Sequence, residues 1–151
     1  MSYWVALGDA EWANAARQAA VLIRERNGNE TGVVWFQGHW GFQYYMQKLG
    51  MHPLDFHQST LNPGDLLVTW SQSQFRAHLG DAPPQEFVAS DELLEVKLRQ
   101  PVITMGWGVA GFYTSYEGLL PFAFRTAPPE QYRLYRIAAT IAARRLAGSA
   151  P

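Results

Sequence analysis

The chain has 151 residues, no cysteine, 12 Lys and Arg against 13 Asp and Glu, and a formal net charge of −1. That length suits one domain that buries roughly two-thirds of its unfolded surface, so disulfide staples are unnecessary and sulfur redox chemistry and cysteine metal sites are excluded. The near-zero charge gives no global attraction for nucleic acid, and no apolar run approaches the ~18 residues of a membrane span.

Aromatic residues make up 14% of the chain, with Trp 6, Tyr 7 and Phe 8, which predicts a core built largely from rings. Residues Tyr3 to Leu7 are apolar without polar alternation, and 1–8 read as the cut end of a membrane-proximal segment. Asp9 then suits a helix N-cap, and Trp12, Ala16, Ala19, Ala20 and Ile23 recur at helical spacing up to Asn27-Gly28. The first helix is expected from Ala10 to Arg26. Thr31 to Phe36 is short, apolar and β-branched; Gly38 and Gly41 bracket His39-Trp40; Phe42 to Leu49 takes up helical spacing and Gly50 closes it. The pattern is strand, tight turn, helix.

Asn62-Pro63-Gly64-Asp65 marks a turn ahead of a buried strand at Leu66 to Trp70, and Ser71 to Gln74 caps a short helix reaching Leu79. Gly80 to Pro84 reads as loop. Three strands are expected next, at Phe87 to Ala89, Leu94 to Leu98 and Val102 to Met105, antiparallel to one another. Gly106, Gly108, Gly111 and Gly118 interleave with Trp107, Phe112, Tyr113 and Tyr116, a loop ordered against the core. Pro128-Pro129-Glu130 opens a last helix to about Leu146, with Tyr132, Tyr135, Ala139, Ile141 and Ala142 on its apolar side. This succession predicts a single α/β domain over 1–151, a layered sandwich with a mixed β-sheet packed against helices.

The best-placed candidate site is Gly38, His39, Trp40 and Gly41 with Tyr44 one turn on. Backbone N–H groups at the carboxyl end of a strand, where a helix opens, suit an anion such as phosphate or a sugar phosphate. Neither a dinucleotide fingerprint nor a P-loop is present. His52, Asp55 and His57 would send their side chains to different faces of a strand, so no metal and no cofactor are expected. His39 and His78 have the pKa range of a general base, but no Gly-x-Ser-x-Gly elbow accompanies them. Asp65, Asp81, Glu86, Asp91, Glu92, Glu95 and Glu117 offer too many carboxylate pairs for spacing to select one. Trp35, Trp40, Tyr44, Tyr45, Trp107, Tyr113 and Tyr116 suit either a sugar-stacking platform or the core. Arg125, Arg133, Arg136, Arg144 and Arg145 make the last stretch basic, either as a solvated face or as a contact for anionic lipid or another acidic partner.

Several stretches together resemble a known family: Asp9 at the first helix, Val34-Trp35-Phe36-Gln37-Gly38-His39-Trp40-Gly41-Phe42-Gln43-Tyr44-Tyr45, Pro63-Gly64-Asp65-Leu66-Leu67-Val68, and Gly111-Phe112-Tyr113 through Leu120-Pro121-Phe122. They are similar to the soluble C-terminal region of bacterial membrane glycosyltransferases that resemble dolichyl-phosphate-mannose protein mannosyltransferases. The resemblance spans nearly the whole chain but rests on aromatic and glycine patterns. It implies a polyprenyl-phosphate sugar as the parent protein's substrate and catalytic acids in the membrane half. No catalytic residue therefore carries over, and this chain by itself is not expected to transfer a glycosyl group. It also implies a place at the periplasmic face of the inner membrane, with the membrane half of its own parent protein as partner and a sugar or phosphate as ligand. The alternative is a free-standing small α/β ligand-binding protein or enzyme acting on a phosphorylated or sugar-like small molecule.

Overall fold

The computed structural model describes residues 2–28, 30–38, 40–71, 83–99, 102–106, 109–111 and 120–146. In chain order the elements are α1 (Ser2–Asn27), β1 (Val34–Gln37), α2 (Trp40–Lys48), β2 (His52–Pro53), β3 (Thr60–Leu61), β4 (Leu66–Ser71), β5 (Val88–Val96), β6 (Val102–Ile103), β7 (Met105–Gly106), β8 (Ala110–Gly111), β9 (Ala123–Phe124), β10 (Glu130–Ile137) and β11 (Ile141–Ala142). Single 3-10 turns sit at Gln85–Phe87 and Ala143–Arg145. The main sheet runs β2-β1-β4-β10-β5. β1 is parallel to both β2 and β4, and β10 is antiparallel to both β4 and β5. The protein is thus an α/β fold on a mixed sheet, as its pattern predicts.

One face of the sheet carries Phe36, Val68, Trp70, Leu94, Val96, Tyr132 and Leu134 against α1 and α2. Helix α1 reaches it through Ala15, Ala16, Ala19, Ala20 and Ile23, all buried. The four alanines at helical spacing let the helix backbone approach closely, while the larger Phe42 and Met46 bury α2 against the same face. The opposite face buries Leu67, Tyr135 and Ile137 beneath Leu61, Ile141, Ala143 and Leu146. β3 and β11, paired through Ile141–Leu61 and Ala142–Thr60, thereby form the second layer.

The turn before β4 is tied by one carboxylate. Buried Asp65 accepts from the Val33 N–H at 2.8 Å, the Trp35 indole at 3.0 Å and the Asn62 N–H at 2.9 Å. Three donors on one acid set the start of β4 relative to β1, and Asp65 is thereby a structural group.

Five expectations are corrected. The last helix is absent: residues 130–137 form strand β10, the strand between β4 and β5. Tyr132 and Leu134 face the helices while Tyr135 and Ile137 enter the opposite layer. Apolar residues on both faces of β10 interrupt its polar alternation at Leu134-Tyr135, and Tyr132, Tyr135, Ala139 and Ala142 also satisfy a helical template. The first helix starts at Ser2, so Tyr3 to Leu7 is its first part and Asp9 lies inside it, accepting from the Thr104 hydroxyl at 2.7 Å instead of capping. The strands expected at Phe87–Ala89 and Leu94–Leu98 are one nine-residue strand, β5. Its acidic middle is tolerated because Arg133 pairs with Asp91 at 2.9 Å, Arg26 pairs with Glu92, and Gln131 bonds Glu95 at 2.8 Å. β5 pairs with β10, whereas the expected third strand breaks into β6 and β7, which pair with β9 and β8. The first strand begins at Val34 and not at Thr31. The helix expected after Ser71, most of the glycine-rich loop and His78 lie outside the described residues.

Candidate functional site

The turn from β1 into α2 is built as its glycines predict. Gly38 has φ +155°, and a Cβ there would lie 2.6 Å from Phe42 Cδ1. Only glycine lets the chain leave β1 while Phe42 packs against Phe36, ring centroids 5.9 Å apart. Trp40 opens α2, and Gly41 has open space around its missing side chain. Tyr44, one turn on, is exposed, with the Lys48 ammonium 5.6 Å from its ring centre. His39 lies outside the described residues. Gln37, the last residue of β1, is buried; it alternates with Phe36 and so lies on the Trp35 side of the sheet, away from α2, and among the described residues neither atom of its side-chain amide has a hydrogen-bond partner. An unpartnered buried amide is costly unless something else meets it.

Replacing Gly38 by Ala is expected to cost about 1–3 kcal/mol, from the strained φ and the displaced Phe42 ring. Gly41→Ala at the exposed start of α2 is expected to be neutral or to stabilise by up to about 1 kcal/mol. Urea unfolding of the two variants checks this, and equal midpoints would remove the special role given to Gly38.

A second polar group sits in the core. Glu130, 2% exposed, accepts from the Trp70 indole at 2.7 Å and the Trp12 indole at 3.0 Å, which fastens α1 to the sheet. Burial pushes its carboxyl above the ordinary range, and the two indole N–H bonds pull it back only in part. Tyr132, fully buried, stacks on Trp70 at 6.5 Å, and among the described residues its hydroxyl has no hydrogen-bond partner. Burial, and then the Glu130 charge, push that hydroxyl well above its ordinary value. Sequence reading uses Glu130 only at the opening of the expected last helix; its signal is the strand alternation of Glu130, Tyr132 and Leu134.

The remaining candidates do not converge. His52 lies exposed on edge strand β2 with its ring 5.7 Å from that of Trp35, while the Asp55 carboxylate accepts from the His57 backbone. Among the described residues no three His, Asp or Glu side chains are grouped to hold a metal ion. Trp35 belongs to the layer opposite α2, so it shares no face with Tyr44. Asp91, Glu92 and Glu95 are engaged as described above, and Asp81 and Glu117 lie outside the described residues. In the basic stretch, Arg133 is held by Asp91, and Arg136 donates to Asn27 Oδ1 and the Gly64 carbonyl.

An open groove of about 430 Å³ runs between α1 and β5, and its walls carry Glu11, Asn14 and Gln18 facing Glu95, Lys97 and Arg99. Leu22, Val96 and Leu98 give it an apolar strip. β4 and β10 separate this groove from the β1–α2 turn, so none of Gly38, Gly41 or Tyr44 lines it. Compared with known proteins, the chain matches no family model, no curated protein and no solved structure.

Proposed function

We propose that the chain is a non-catalytic extracytoplasmic domain of a membrane glycosyltransferase, holding acceptor or sugar near the periplasmic face of the inner membrane beside the membrane half of its parent protein. The observation that carries this reading is the groove between α1 and β5. Saccharide hydroxyls both donate and accept, so the Glu11 and Glu95 carboxylates, the Asn14 and Gln18 amides and the Lys97 ammonium around an apolar strip suit a sugar. The aromatic and glycine pattern of the sequence supports the family reading.

The second reading, a small α/β protein that binds a phosphorylated ligand at the β1–α2 turn, is favoured by the Gly38 turn that opens α2 at the carboxyl end of β1. Chemical-shift mapping with monosaccharides, inorganic phosphate and a sugar phosphate separates the two. The proposed function expects shifts at Asn14, Gln18 and Glu95 to Arg99 with a sugar. Shifts confined to Gln37, Gly38 and Gly41 with phosphate would replace it with the second reading, and silence at both places would end both. The native reading frame tests the family assignment: hydrophobic helices are expected in the parent polypeptide, and a frame that encodes none ends it.

A further inference from the structure

The face of the sheet turned away from α1 and α2 changes character along its strands. Strand pairing sets Trp35, Leu67, Tyr135 and Asp91 in one row across β1, β4, β10 and β5, and Gln37, Thr69, Arg133 and Leu93 in the next row on the same face. The second layer packs on the first of these rows through Trp35, Leu67 and Tyr135, and no member of the next row joins that cluster. Exposure rises along the next row: Gln37 and Thr69 are each 7% exposed, whereas Leu93 is 45% exposed and the Arg133 side chain 50%. The row is closed at β1 and open at β5.

Its polar groups are engaged with one exception. The Arg133 guanidinium meets Asp91 at 2.9 Å, and the Tyr135 hydroxyl is hydrogen-bonded to the Thr69 and Arg133 side chains. The Gln37 amide is the exception, because among the described residues neither Nε2 nor Oε1 has a partner. Gln37 ends β1, and Thr69 stands level with it on the parallel neighbour β4. The unmet amide thus lies at the carboxyl ends of parallel strands, where open α/β sheets hold their ligands.

We infer that the row of Gln37, Thr69 and Arg133 is a binding site for a small uncharged flat ring whose edge sets a hydrogen-bond donor beside an acceptor, as in nucleobases and aromatic carboxamides. A glutamine amide carries a donor and an acceptor in one plane, so a ligand that offers both satisfies it, while a carboxylate or a phosphate dianion only accepts and leaves Oε1 unmet. Gln37 and Arg133 are two strands apart, roughly 10 Å between backbones, with the short Thr69 side chain between them, a span suited to a single ring. The planar Arg133 guanidinium can lie on the face of such a ring, and Asp91 balances its charge, which suits an uncharged ligand. The inference does not rest on the proposed function, since this row shares no residue with the groove between α1 and β5.

Chemical-shift mapping of the full chain with uracil, adenine and benzamide, set against glucose and inorganic phosphate, tests it. Shifts are expected at Gln37, Thr69, Leu93 and Arg133 with at least one of the three rings. A response to uracil or adenine alone identifies a nucleobase, and a response to benzamide extends the site to any flat amide edge. Gln37→Leu should abolish the shifts while leaving the melting temperature unchanged or higher, because it removes a buried amide that the fold itself does not use. Gln37→Glu, which loses the N–H donor, should weaken binding roughly tenfold or more. Val21→Ala, at an exposed position on α1, should leave it unchanged. Silence of the wild-type row with all three rings overturns the inference without any substitution. So does a response there to glucose or phosphate alone, binding that the folded Gln37 variants retain in full, or a Gln37→Leu chain that melts far below wild type, which would make the amide a structural group. Sugar-induced shifts at Asn14 and Gln18 bear on the proposed function alone, so either reading can fail while the other stands.

Discussion

A chain truncated after Thr126 is expected to show no cooperative unfolding transition. The cut removes β10, which is hydrogen-bonded on one side to β4 and on the other to β5, so the main sheet loses its connection between them. It also removes Tyr132, Leu134, Ile137, Ile141 and Leu146, all buried and divided between the two layers. At about 1.5–3 kcal/mol for each such side chain, their burial amounts to roughly 7–15 kcal/mol, comparable with the whole stability of a typical domain. Circular dichroism and calorimetry on the fragment provide the measurement. A fragment that melts as sharply as the full chain, at the same temperature, would show that β10 is not integral to the sheet.

The second large effect belongs to Glu130. In Glu130→Gln one indole N–H still meets an oxygen, but the other faces an amide N–H₂, and a buried donor left unmatched costs about 1–3 kcal/mol. The sign of the accompanying pH dependence follows from the raised carboxyl. The folded protein holds the Glu130 proton more tightly than the unfolded chain does, so protonation favours folding. This contribution is fully present below the ordinary carboxyl range and is lost as pH rises through the raised folded value. Denaturant unfolding of wild type and Glu130→Gln across the acid to neutral range should therefore show the wild-type advantage shrinking as pH increases and then levelling off. A difference that stays flat, or grows with pH, would mean that the carboxyl is charged in the fold. Tyr132 acts in the same direction at alkaline pH, where its raised hydroxyl resists ionisation in the folded state and stability falls once it is forced to ionise.

The candidate site was legible in part. The Gly38 turn, α2 and the left-handed Gly50 that follows it can be read from local signals, because a glycine at positive φ and an apolar spacing of four residues are properties of a few neighbours. The groove between α1 and β5 cannot be read this way: Glu11 and Arg99 meet across a separation of 88 residues, and nothing in the spacing of either segment marks the other. The Glu130 cluster is similar, since its indole partners lie 60 and 118 residues away.

By itself the sequence determined the α/β class, the mixed sheet, the presence of α2 closed by Gly50 and the turn at Asn62 to Asp65, each from composition or from signals within a few residues. Only the tertiary structure decided that residues 130–137 are a strand. Tyr132, Tyr135, Ala139 and Ala142 fall on one side of a helix, but as a strand Tyr132, Leu134, Tyr135 and Ile137 fill two layers at once and give their backbone hydrogen bonds to both β4 and β5. Apolar residues on both faces interrupt the polar alternation at Leu134-Tyr135, so the neighbouring strands, and not the local propensity, choose its conformation.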